Sequence, residues 1–552
     1  MACILTSLAY AEFASRIPAA GSAFTYVYVA FGEFYAWVVG WNLILGYVGS
    51  ASVAARAWGD YTSDFVMKSF SRRIVWIERL TEFAIFGESV HYTCSPLSMV
   101  IVAISTLVLL RGAKDSSRFN NIMTVANISI LFLVIVAGVS TSSINVENME
   151  PFAPKGLPGI MQGTGLVFFA FIGFDMVASL SEEVVNPEKN MPIGIVGSLI
   201  ISTLIYVSVS LAVVGMAPFE FLGEKIPIVN AILVNACCTH EEQLQAGHPG
   251  ECLLECRSYE RPVLVVVGHI VSGGAIFGLM ASCFTSLMAQ PRIFYQMAHD
   301  GLWFRLFAKL DPVTGVPKQG IILTGVVTAF LACFVPLEAL ANLISLGTLM
   351  VFTFVNAGVI LLRLRNVSEA SKAEKHSNLT KEEHHKIFTQ SNNMVALLLL
   401  LFTASMLGAS IFFANSTAKT PVLLLLLLAA LSGSLIHYIP DSWTVASNQG
   451  DHEQSQFSCP LVPILPLGGV ACNSFMMGSL PLSSWLLCLV WLALGIAFYF
   501  AYGIRHSTLG KSGRYSETAP LIAVLDGTVV REGYQSTLNV SLRPTHHLPV
   551  HS

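Results

Sequence analysis

The chain has 552 residues, 54% of them hydrophobic and only 12% charged, and its mean hydropathy is +0.66. Ordinary soluble domains carry about twice that charged fraction, so a soluble multidomain protein is excluded and an all-α integral membrane protein is expected. The formal net charge of −4 is too small to mark a nucleic-acid or strongly acidic partner.

Thirteen apolar spans are expected, the first only partial: 1–14, 24–53, 93–111, 121–141, 160–180, 193–216, 263–288, 319–337, 340–362, 394–414, 420–438, 461–478 and 484–504. Runs of roughly 18 or more apolar residues are long enough to cross a bilayer. The second span is long for one crossing, and a tilt or break is expected in it, with Gly40, Gly46 and Gly49 inside. Glu33 stands near its entry beside Tyr35 and Trp37, the position of an interfacial carboxylate among aromatic anchors.

The most informative stretch is FFAFIGFDMVASLSEEVVNPEKNMP, from Phe168 to Pro192. It starts as a spanning run, yet holds Gly173 and then Asp175. An acid at bilayer depth is costly and faces a polar cavity or pathway. The glycine supplies a point where the helix can open and release backbone carbonyls. Carbonyls at a broken helix end, with one carboxylate, make a site for a small cation such as an amino-acid ammonium. The competing reading of Asp175 is a cap on the second half-helix. Glu182 and Glu183, followed by Pro187 and Pro192, end this element. Pairing with Arg292 at an inner gate is the functional reading and a solvated loop the other.

The loop 217–262 gathers Cys237, Cys238, Cys252 and Cys256, and disulfides fit an oxidising outer face. Their spacing with His240 and His248 matches no common zinc pattern, so neither a metal nor a cofactor is expected. His269 sits near a helix end, where an interfacial role outranks a proton relay. The polar segment Asn366 to Asn393 separates a front block from a four-span rear block, whose Leu-rich helices read as lipid-facing scaffold. Asn415 opens a glycosylation sequon too close to the membrane to be used. After Gly510 the chain lacks apolar periodicity, the pattern of disorder. Glu517, Leu521 and Ile522 in that tail have the spacing of a dileucine sorting signal that an adaptor would bind. The 30 Lys and Arg divide two to one in favour of the side holding Arg16, which puts that side and the C-terminus in the cytosol.

Four blocks carry a resemblance to a known family. They are YAEFASRIPAAGSAFTYVYVAFGEFYAWVVGWNLILGYVGSASVAARAW, FFAFIGFDMVASLSEEVVNPEKNMPIGI, PRIFYQMAHDGLWFRLFAKLDPVTGVPKQG and FSCPLVPILPLGGVACNSFMMGSLPLSSWLLCLVWLALGIAFYFAYGIRHS. The chain resembles the cationic amino acid transporter family of the amino acid–polyamine–organocation superfamily. The resemblance implies a LeuT-like fold of two inverted five-helix repeats, the first helix of each broken at the midplane. It assigns the carbonyls of Phe169, Ala170 and Ile172 to the substrate's α-ammonium, and it makes Glu33 an acid reaching toward a cationic side chain.

The implied activity is transport of arginine, lysine and ornithine by alternating access. A neutral amino acid or polyamine carrier, or a non-transporting sensor or scaffold, is the alternative. Asn121 departs from the family, which often has lysine there, so uniport and proton or cation coupling stay open. The family pattern has fourteen spans, and here the first span and half of the second are missing. The expectation is therefore an N-terminally truncated member with about 12 full spans and a partial first. The domains would be 1–141 for the rest of the first repeat, 160–362 for the second, 363–393 for a linker, 394–504 for four extra spans and 505–552 for the tail. A plasma-membrane location is expected, with a vacuolar or endolysosomal membrane as the alternative.

Overall fold

The computed structural model describes residues 2–18, 21–70, 80–85, 88–93, 95–140, 146–150, 152–181, 184–217, 222, 226–237, 262–312, 314–374, 381–415, 419–438 and 457–507. The front block contains α1 (Ala2–Arg16), α2 (Ala23–Phe31), α3 (Glu33–Phe70), α4 (Pro96–Leu110), α5 (Ala113–Ser140), α6 (Gly156–Val167), α7 (Phe174–Ala178), α8 (Pro187–Met216), α9 (Pro227–Cys237), α10 (Pro262–His299), α11 (Lys318–Phe334) and α12 (Leu337–Glu374). The rear block holds α13 (Lys381–Asn415), α14 (Lys419–Tyr438), α15 (Ile464–Gly478) and α16 (Leu482–Phe498). Beyond α16 a π-turn at Tyr499–Gly503 leads into a last turn, Ile504–His506. Among the described residues, 9 helical segments are long and apolar enough to cross a membrane.

Burial divides these helices by role. The most apolar windows of α3 and α12 are 89% and 83% buried, while those of α5 and α14 are only 17% buried. A helix that is apolar all round is either core or lipid-facing. Thus α3 and α12, packed on each other, form the axis of the molecule, and α5 and α14 face the bilayer. The exposure of Leu423 and Leu424 on α14 agrees with the scaffold expected of the Leu-rich helices.

The long second span does break, but not at Gly40, Gly46 or Gly49. The interruption falls at Gly32, whose φ of 98° suits a residue without Cβ. Its N–H closes α2 on Tyr28 O at 3.0 Å. Gly49 stays helical, and its missing Cβ leaves room for Ile344 of α12 to pack against it.

Other departures lie outside the apolar core. Residues Leu80–Ile85 and Glu88–Thr93 pair as an antiparallel hairpin, β1–β2, after α3. The loop 217–262 contains α9, whose Val229, Ile232 and Val234 are buried against neighbouring helices. The polar linker is largely helical, since α12 runs on to Glu374 and α13 starts at Lys381. On the expected outer side, Arg56 donates from Nη1 to the carbonyls of Ala332, Cys333 and Val335 at 2.9–3.3 Å. A cation at the C-terminus of α11 complements the helix dipole and ties α3 to that end.

The rear block docks on α3 through tryptophans. Trp37 Nε1 donates to Gly495 O at 2.9 Å, and Trp41 Nε1 donates to Trp491 O at 2.8 Å. The rings of Trp41 and Trp491 stack at 4.6 Å, and Trp37 stacks on Phe498. Each indole buries its ring and satisfies its N–H on a backbone carbonyl, as buried tryptophans require.

Candidate functional site

The helix entering at α6 opens where the glycine stands. It tightens into a 3-10 turn over Phe168–Phe171, then becomes extended at Ile172 (ψ 130°). Gly173 takes φ 138°, a left-handed value that a side chain would strain. The helix resumes as α7 at Phe174. Ile172 N–H turns back to Phe169 O at 3.2 Å, and Met176 N–H reaches Gly173 O at 3.0 Å. The carbonyl of Ile172 therefore falls outside the helical ladder. Ala170 beside it is exposed, and Phe169 and Ile172 pack on Val53, Leu340 and Ile344.

Asp175 closes the other side of the break. It is 1% exposed. Tyr47 Oη of α3 donates to its Oδ2 at 3.0 Å, and the Gly173 N–H donates to its Oδ1 at 3.0 Å. Ser22, ahead of α2, donates from Oγ to the Asp175 carbonyl at 2.9 Å. The carboxyl thus closes the turn at Gly173 from the first turn of α7 and is itself buried. Among the described residues no cation pairs with it. A buried carboxylate held only by neutral donors is costly, by several kcal/mol for an uncompensated ion.

Aromatic rings seal the group. Tyr10 of α1 meets Phe174 at 5.6 Å and Phe352 of α12 at 5.4 Å, both edge to face. Tyr26 meets Tyr10 at 6.0 Å and stacks on Phe13 at 4.9 Å. The hydroxyls of Tyr10 and Tyr26 are buried without a hydrogen-bond partner.

Among the described residues, Glu33 takes other partners. Glu33 heads α3, where its Oε1 accepts from Tyr499 Oη at 3.0 Å and its Oε2 from Ser507 Oγ at 2.6 Å. Tyr47 lies about 21 Å farther along the same helix at 1.5 Å per residue. Glu33 thus ties the start of α3 to the turn that follows α16. Arg292 is half-buried on α10 beside Pro291. Glu182, Glu183, Cys238, Cys252, Cys256, Glu517, Leu521 and Ile522 lie outside the described residues, as does the side chain of Cys237. Asn121 is exposed on α5, and the adjacent Asn120 Oδ1 accepts from Thr285 Oγ1 at 3.0 Å. His269 Nδ1 lies 2.8 Å from Val265 O in its own helix. Tyr47, Tyr10, Tyr26 and Ser22 were not singled out from sequence. A hydroxyl set among small residues, as Tyr47 is between Gly46 and Gly49, was the available signal.

A bundle of apolar helices around an interrupted one, with carbonyls and a buried acid at the break, defines a multi-pass membrane transporter. Comparison with known proteins agrees. Residues 1–240 and 255–435 match the family model described as amino acid permease, and 457–507 match the model for the C-terminus of that permease. The chain belongs to the amino acid permease family, within the group of cationic amino acid transporters and their relatives, and so to the transporters rather than the enzymes.

Among its relatives, the human cationic amino acid transporter 4 is 31% identical over 546 residues, 92% of this chain and 80% of that protein. The vacuolar cationic amino acid transporter 4 of Arabidopsis thaliana is 31% identical over 546 residues, covering 93% of this chain and 86% of that one. The methylthioribose transporter of Bacillus subtilis is 29% identical over 511 residues, 93% of this chain and 85% of its own.

Proposed function

We propose that the chain carries cationic amino acids (arginine, lysine and ornithine) across the membrane by alternating access. One observation carries this reading: Asp175, buried at the helix break, is held by neutral donors that include Tyr47 and the Gly173 N–H, with no cation paired to it among the described residues. A substrate with a second positive group supplies the missing charge. Its α-ammonium is received by the carbonyls of Phe169, Ala170 and Ile172, and its side chain extends toward Asp175. Gly173 provides the backbone freedom, while Glu182, Glu183 and Arg292 act at the inner gate. In this reading 1–141 and 160–362 are the two repeats, and 394–504 adds four spans to them. The names of the human and plant relatives fit it.

A second reading has a neutral or different solute in the same site, as the name of the bacterial relative illustrates. Asp175 then acts only as the cap on the turn at Gly173. Uptake of arginine against leucine in cells expressing the chain and its Asp175→Asn variant separates the two. Loss of arginine preference by about tenfold or more supports the cationic reading, since hydrogen bonds to a charge are worth about 1.5–3 kcal/mol. An unchanged ratio supports the cap. The same reading has the protein at the plasma membrane with a cytosolic C-terminus. A Leu521→Ala, Ile522→Ala double change tests the alternative, vacuolar sorting through an adaptor, by microscopy.

A further inference from the structure

We propose that Glu12 and Arg363 form a charged clasp on the cytoplasmic gate, and that the backbone of Cys459, from the rear block, closes it. Glu12 stands in the last turn of α1 and its side chain is fully buried. Its Oε1 accepts from Arg363 Nε at 3.1 Å and pairs with Arg16 Nε at 3.2 Å. Its Oε2 accepts from Arg363 Nη2 at 2.9 Å and from the Cys459 N–H at 2.8 Å. Arg363 Nη2 also donates to the Cys459 carbonyl at 2.8 Å. The paired charges thus grip Cys459 by its own N–H and C=O. Arg16 Nη2 adds a bond to Ser458 Oγ at 3.2 Å. Ser15 Oγ accepts from the Phe457 N–H and donates to the Glu188 carbonyl, both at 3.0 Å.

The position of this cluster gives it a role beyond cohesion. Helix α1 packs along α8 and touches α7, so it travels with the lower half of the broken helix. Helix α12 packs on α3 and α15, the buried axis and the rear block. Glu12 therefore sits on the border between the unit carrying Asp175 and the unit carrying Tyr47. The Tyr47–Asp175 bond crosses that border nearer the middle of the membrane. Any movement that opens the cytoplasmic end beside Asp175 separates Glu12 from Arg363, from Cys459 or from both. Bidentate arginine–carboxylate pairs are strong and geometrically specific, so the closed state is the favoured one. Glu12, Arg363 and the 457–459 segment are positioning residues of the gate. They act on its opening and not on the substrate.

The clasp rests on the transport reading for its purpose, but its first readout needs no substrate. Cys459 is buried beneath it, 2% exposed. Its labelling by a membrane-impermeant maleimide, from the cytosolic face of inside-out vesicles, reports opening; a Cys459→Ser chain gives the background. The double variant Glu12→Gln, Arg363→Gln removes both charges of the bidentate pair together, and leaves Arg16 its bond to Ser458 Oγ. Its Cys459 is expected to label about tenfold faster than in the unaltered chain, the effect of losing a charged hydrogen bond. Arginine KM is expected to stay within about twofold while the maximal influx shifts by about threefold or more, a change in a step other than binding. Arg363→Lys keeps the charge and loses the fork, so labelling about threefold faster is expected from it.

Labelling at the unaltered rate in both variants overturns the clasp. Should the double variant fail to reach the membrane, Arg363→Lys alone decides in the same way. Faster labelling with no arginine flux in any chain keeps the clasp and removes the cationic reading.

Discussion

At the residue scale, the proposed selectivity turns on Asp175, which pairs with no cation among the described residues. Tyr47 supplies one of its donors from a different helix, across 128 positions of sequence. Tyr47→Phe is expected to lower the affinity for arginine by about fivefold or more, since an unmade bond to a charged group costs about 1–3 kcal/mol. Competition uptake assays measure this, and leucine transport is the control. Asp175 and Gly173 were legible in the sequence because a charge and a residue without Cβ both stand out in an apolar run. Tyr10, Tyr26, Tyr47 and Ser22 were not. An aromatic or hydroxyl residue is ordinary in a membrane helix, and its partner becomes visible only when distant segments meet. Glu33 stood out as an acid, but its partners Tyr499 and Ser507, at the far end of the chain, did not.

At the scale of elements, the interruption between α6 and α7 depends on one backbone conformation. With φ at 138°, Gly173→Ala meets open space but a strained backbone. It is expected to destabilise the fold by about 1–3 kcal/mol and to lower the thermal midpoint of the detergent-solubilised protein. The break itself was readable. The break at Gly32, the hairpin and α9 were not, because short elements in polar loops lack the periodicity that marks a span.

The connection between α10 and α11 holds a pH-dependent lock. Lys318 Nζ sits 2.9 Å from Asp311 Oδ1, and the Thr314 N–H and Oγ1 donate to Oδ2 at 2.9 and 2.8 Å. The bond from Lys318, followed by those from Thr314, lowers the Asp311 carboxyl from 3.8 to about 2. A depressed carboxylate stabilises above its unfolded value and loses that effect as pH falls through the folded one. The turn is therefore expected to stay locked at pH 4 and to loosen as pH approaches 2. Hydrogen exchange at the Thr314 amide follows this, and Asp311→Asn removes the dependence.

At the scale of the whole molecule, the rear block is joined to the front at several levels. Trp37 and Trp41 bind α16, Glu33 holds the turn after it, and Glu12 and Arg363 grip the segment before α15. A Cβ on Gly495 would stand 2.5 Å from the Trp41 ring. Gly495→Leu is thus expected to push α16 off α3 at a cost of about 1–3 kcal/mol or more, read as a lower thermal midpoint. Hydropathy revealed the all-helical membrane class, a property of local composition, although thirteen spans were expected and 9 helical segments among the described residues are long and apolar enough to cross. It could not reveal that α3 and α12 are central while α5 and α14 face lipid, because all four are apolar enough to cross.

The central claim is that this permease moves a solute with a second positive charge, and Asp175 is why. Counterflow in proteoliposomes tests it most directly: vesicles loaded with unlabelled arginine, lysine, ornithine or leucine, and labelled arginine outside. Accumulation driven by internal arginine, lysine or ornithine, absent with leucine and lost in Asp175→Asn, is the predicted result. Accumulation driven equally by leucine, or retained in Asp175→Asn, would contradict the account.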